Sequence, residues 1–141
     1  MKNIKEYKTN SVDETIQCGK TLTEKFTKGA LIALAGDLGV GKTAFTKGIA
    51  LGLDITEAVT SPTFTLLKEY EGRLNLKHID AYRLEGIDSD SLGLFDLIDE
   101  GNVVVLEWSN FLEDLDFAPD YIVTIDYVTE NERLIRIEEL S

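Results

Sequence analysis

Eight residues constrain this chain more than any other stretch: Gly36-Asp37-Leu38-Gly39-Val40-Gly41-Lys42-Thr43. They match G-x-x-x-x-G-K-[ST] without a gap. Ala30 to Ala35, ahead of them, is a continuous apolar run that suits a buried parallel strand. Behind them a helical pattern covers roughly 43–52 and stops near Gly52. A strand, a glycine turn and a helix in that order build a cradle for phosphate. With average residue usage such a match arises by chance in roughly 0.5% of chains this long. A glycine turn with an incidental lysine would need neither the strand nor the helix.

Each residue type in the loop has a job. Glycines allow positive φ and let backbone N–H groups crowd an anion. Lys42 brings a point charge to the β and γ phosphates of a nucleotide. The hydroxyl of Thr43 suits a Mg²⁺ shell. The N-terminus of the following helix aims its own N–H groups at the same place.

The rest of the chain supplies the frame. Residues 3–8 alternate weakly and read as a first strand. Ser11 is the expected N-cap of a helix over residues 12–28, with Glu14 completing a capping box and Gly29 closing it. Thr63 to Tyr70 and Leu74 to Asp80 read as strands joined by the turn Glu71-Gly72-Arg73. Residues 88–99 suggest a short helix, and Val103 to Leu106 a second buried strand. Tyr121 to Tyr127 and Leu134 to Ile137 form a further antiparallel pair. The expected architecture is α/β, a compact P-loop fold with a mixed parallel and antiparallel sheet flanked by helices. At 141 residues, 1–141 is expected to be a single domain.

Charge and cysteine usage narrow the setting. The net charge is −12, and the 14 basic residues are scattered. A direct grip on RNA or DNA is therefore not expected, whereas a basic protein partner suits such a surface. No apolar run is long enough to span a bilayer, so no membrane role is expected. The single cysteine, Cys18, excludes an internal disulfide and fits a reducing cytoplasm; it reads as a buried small hydrophobe on a helix.

A P-loop enzyme also needs an acid at the end of a neighbouring strand. Glu107 follows the apolar run Val103 to Leu106, and Asp80 ends Leu74 to Ile79. The apolar strand favours Glu107 for the metal; among 26 acids, either could be a surface acid at a strand end. Ser61-Pro62-Thr63 stands where P-loop proteins carry a switch segment, though a plain loop-to-strand entry reads the same way. His78, the single histidine, shares a strand face with Asp80 and is expected to orient it. Trp108 packs under the nucleotide or anchors the sheet. No N-K-x-D stretch reads guanine, and four arginines are few for a small-molecule kinase. Such a kinase and an ATP-sensing adaptor are the rival readings.

Taken together, these motifs resemble one family. Gly36 to Thr43, Ser61-Pro62-Thr63-Phe64, His78-Ile79-Asp80-Ala81-Tyr82-Arg83 and Glu107-Trp108 fall in the order and spacing of the TsaE (YjeE) family, over about residues 11–127. Glu14-Thr15-x-x-x-Gly19 matches too. The resemblance implies an ATPase of tRNA threonylcarbamoyladenosine biosynthesis. It implies ATP and Mg²⁺ as cofactors and a TsaB–TsaD complex as partner, with tRNA reached only through that complex. It implies that Thr43 and Glu107 bind Mg²⁺, and that Asp80 lies beside the metal and the attacking water; Asp80 and the P-loop Lys42 are the catalytic candidates. Thr15 and Trp108 would approach the nucleotide, and Ser61 to Phe64 would form the switch. Ala44, which follows in the nucleotide site, replaces a second threonine common in relatives, so a supporting hydroxyl is missing there.

Overall fold

The computed structural model describes residues 3–36, 41–56, 67–80, 100–108 and 119–139. Among the described residues, seven strands and two helices run in chain order: β1 (Asn3–Thr9), α1 (Val12–Glu24), β2 (Ala30–Ala35), α2 (Lys42–Gly52), β3 (Leu67–Tyr70), β4 (Asn75–Asp80), β5 (Asn102–Trp108), β6 (Tyr121–Tyr127) and β7 (Arg133–Glu139). The strands form one sheet in the order β1-β7-β6-β2-β5-β4-β3. Its four central members, β6, β2, β5 and β4, are parallel. The outer strands run antiparallel to their neighbours: β3 to β4, β7 to β6, and β1 to β7. The expected mixed sheet and both antiparallel pairs are therefore present. The expected helix over 88–99 and the strand residues 63–66 lie outside the described residues.

Burial follows from the composition of the strands. Every residue of β5 from Val103 to Glu107 is buried, as a parallel strand covered on both faces must be. One face of the sheet, carrying Ile32, Leu34, Leu76, Val103, Val105, Val123, Ile125 and Ile135, joins Phe45, Ile49 and Leu22 from the helices in the core. On the other face Leu31, Ala33, Val104 and Leu106 are buried as well.

The two helices meet almost backbone to backbone. A Cβ added at Gly48 would stand 1.9 Å from the carbonyl oxygen of Ile16, so only glycine permits this crossing. Thr23 Oγ1 seals the contact by donating to the carbonyl of Ile49 at 3.0 Å.

Helix α1 starts as expected and ends early. Ser11 Oγ accepts from the Glu14 amide at 3.2 Å, while Glu14 Oε1 accepts from the Asn10 amide at 3.0 Å. The box thus closes one residue ahead of the cap. The helix stops at Glu24 rather than reaching Lys28, and Gly29 is not its cap. Arg73, in the β3–β4 turn, donates to the carbonyls of Thr23, Glu24 and Phe26, which a longer helix would have used. The amide of Gly29 instead donates to the carbonyl of Glu100.

Candidate functional site

The P-loop leaves the sheet at the C-terminal end of β2. The backbone turns at Gly36 with φ 151° and enters α2 at Gly41 with φ 115°; at Gly41 an L side chain would be strained. Asp37, Leu38, Gly39 and Val40 lie outside the described residues. Helix α2 begins with no side-chain cap and no acid in its first turn. Its N-terminal N–H groups and dipole therefore meet no competing carboxylate of their own helix. Lys42 is only 5% exposed. Its Nζ donates to the carbonyl of Gly36 at 2.8 Å, so the side chain folds back from the last loop residue to the first. Thr43 and Ala44 are half-buried beside it in the first turn of α2.

Register brings the two acids to the same edge. Leu34 on β2 pairs with Glu107 on β5, and Glu107 pairs with Asp80 on β4. Glu107 thus stands between the strand that feeds the P-loop and the strand that ends in Asp80. It is buried, at 6% exposure. The side chains of Asp80 and Trp108 lie outside the described residues, as do Arg83 and the segment Ser61, Pro62, Thr63 and Phe64.

His78 lies against Glu107, whereas its expected neighbour, the Asp80 side chain, is outside the described residues. The imidazole is fully buried, and its Nε2 lies 3.0 Å from Glu107 Oε1. The parallel register explains this. His78 pairs with Val105, two residues before Glu107, so ring and carboxylate share a face as diagonal neighbours. The contact has hydrogen-bond length but not direction: neither ring nitrogen, nor Oε1, has an aligned partner.

Thr15 lies behind the end of the loop. A Cβ placed on Gly41 would come within 3.9 Å of Thr15 Cγ2. The Thr15 hydroxyl sits 2.9 Å from that of Thr9 and donates to the carbonyl of Ser11 at 3.3 Å. Thr15 is 2% exposed, and its hydroxyl ties the end of β1 to α1. Thr9 was not expected at this site; nothing in the sequence links it to Thr15 before the strand is placed.

The residues suit a nucleotide-borne cation. Among the described residues no cluster of three or more His, Cys, Asp or Glu could cage a metal. Mg²⁺ held through phosphates needs no cage, only one or two protein oxygens. The buried Glu107 carboxylate and the Thr43 hydroxyl are the oxygens at hand. A cavity of about 460 Å³ bounded by Tyr7, Cys18, Leu22 and Tyr121 touches none of Gly36, Lys42, Thr43, His78 or Glu107.

Comparison with known proteins finds relatives in both sequence and fold. A family model described as "Threonylcarbamoyl adenosine biosynthesis protein TsaE" matches residues 9–136. The tRNA threonylcarbamoyladenosine biosynthesis protein TsaE of Bacillus subtilis is 47% identical over 116 residues, covering 81% of this chain and 72% of that one. Its namesake from Treponema pallidum is 41% identical over 118 residues, covering 83% and 86%. The crystal structure of YdiB from Bacillus subtilis superposes with a TM-score of 0.76 at 36% identity, covering all of this chain and 88% of that one.

Proposed function

The chain belongs to the TsaE family, and from that premise we propose that it hydrolyses ATP in the service of tRNA threonylcarbamoyladenosine biosynthesis. It acts on a TsaB–TsaD complex, coupling Mg·ATP hydrolysis to the turnover of that complex, and meets tRNA only through it. The observation that carries the reading is Lys42 folded onto Gly36 at the mouth of the loop, with Glu107 on the adjacent strand.

The chain's residues divide the work. The amides of Gly36 to Ala44 and the start of α2 bind the phosphates. Lys42 exchanges its Gly36 carbonyl for the β and γ phosphate oxygens. Thr43 and Glu107 hold Mg²⁺, which neutralises charge along those phosphates when bound. Asp80 orients or deprotonates the attacking water. Thr15 and Trp108 approach the nucleotide, and Ser61 to Phe64 respond to its γ phosphate. Positioning and electrostatics supply most of the catalysis in phosphoryl transfer, so a site lacking a partner's contribution is slow alone.

Equilibrium binding of a fluorescent ATP analogue and release of phosphate test this reading together. Lys42→Ala is expected to weaken binding at least about tenfold, as loss of a charged phosphate contact should. Asp80→Ala is expected to leave binding within about threefold and to abolish hydrolysis. Unchanged hydrolysis in Asp80→Ala would remove its role.

A further inference from the structure

Three buried polar atoms gather where β4 meets β5: Nδ1 and Nε2 of His78 and Oε1 of Glu107. None has an aligned hydrogen bond, and a buried polar group left so is destabilising. Two residues earlier, on the same face of β4, Leu76 fills an equally buried position with no such cost. A leucine at 78 would pack as well but could not give an N–H to a carboxylate 3.0 Å away.

We propose that His78 is a positioning residue for the magnesium site. Carrying its proton on Nε2, the ring holds Glu107 Oε1 and leaves the second carboxylate oxygen to face the cation at the P-loop. The proposal rests on the reading of Glu107 as a Mg²⁺ residue. Distance is already right and direction is not, a state common at sites that tighten only when loaded. When the carboxylate engages the cation, rotation about its terminal bonds brings the N–H and Oε1 into line. Outer groups that orient a metal-binding carboxylate in this way typically change metal affinity by about 10–100-fold. Thr46, another deeply buried polar side chain close to the loop, spends its hydroxyl on the carbonyl of Lys42 within α2.

The experiment titrates Mg²⁺ into the full chain with mant-ATP and compares affinity in EDTA. His78→Leu is expected to raise the half-saturating Mg²⁺ about tenfold, with mant-ATP affinity in EDTA unchanged within about twofold. His78→Gln, whose amide N–H reaches the Nε2 position, is expected to stay within about threefold of wild type. The double variant His78→Leu with Glu107→Gln should be no worse than Glu107→Gln alone, because the histidine acts through the glutamate. If His78→Leu does not fold, His78→Asn, too short to reach Glu107, takes its place with the same expectation. An unshifted Mg²⁺ midpoint, equal weakening with and without metal, or additive effects in the double variant would overturn the proposal. A Glu107→Gln protein with a normal Mg²⁺ midpoint would instead overturn the underlying reading of Glu107, and His78 with it.

Discussion

Glu107 and His78 show how a residue's role depends on what faces it. From the chain alone Glu107 is an acid at a strand end and His78 a polar residue within a strand, and the nearest acid to His78 in sequence is Asp80. The contact with Glu107 exists only because β4 and β5 are parallel and in a particular register, which no local pattern encodes. The P-loop was legible because its chemistry is local: glycines, lysine and threonine must be consecutive to work. Cys18 was legible in part. It sits half-buried on α1, and burial pushes its thiol up from 9.0 to about 11. At pH 8 both values lie above ambient, so the thiolate is rarer by roughly 100-fold than for an unperturbed thiol. Alkylation by iodoacetamide at pH 8 is therefore expected to be about two orders of magnitude slower in the folded protein than in urea. The rate should keep rising about tenfold per pH unit until near pH 10. Equal rates in folded and unfolded protein would show that the thiol is not shielded.

Helices α1 and α2 share a feature that is invisible one element at a time. Neither has a basic residue in its last turn to meet its C-terminal carbonyls. Arg73 supplies that charge to both. Its guanidinium donates to Thr23 and Glu24 at the end of α1, to Phe26 beyond it, and to Gly52 at the end of α2. The sequence offered Arg73 as a turn residue; its role needs the hairpin folded against both helix ends, 49 residues from Glu24. Arg73→Ala is expected to lower unfolding free energy by about 2 kcal/mol in urea denaturation, and Arg73→Lys to recover less than half, because an ammonium lacks the fork that spans both ends. The opposite end of the crossing is set by sterics. Gly48→Ala places a methyl 1.9 Å from the Ile16 carbonyl oxygen, and backbone on both sides must move apart. About 2–3 kcal/mol of destabilisation is expected, while Lys47→Ala on the exposed face of the same helix stays within about 0.5 kcal/mol. Equal effects of the two would show that the helices are free to separate.

Across the whole molecule, strand type was easier to read than strand order. Apolar runs marked β2 and β5 as buried, and alternation marked β6 and β7 as an antiparallel pair. That β5 inserts between β2 and β4, bringing Glu107 beside both the P-loop strand and Asp80, is a consequence of packing that short patterns do not carry. The four parallel strands point their C-terminal ends at one edge, and the phosphate loop, Glu107 and Asp80 all lie along it. A net charge of −12 is unfavourable for a direct grip on nucleic acid, in keeping with the proposal that a protein partner makes that contact. The most direct measurement is ATP turnover by the full chain with and without purified TsaB–TsaD, wild type against Lys42→Ala. Slow hydrolysis alone, a rise with the complex, and loss of both in the variant are the expected results of the proposed function. Hydrolysis that is indifferent to the complex, or that survives in Lys42→Ala, would contradict it.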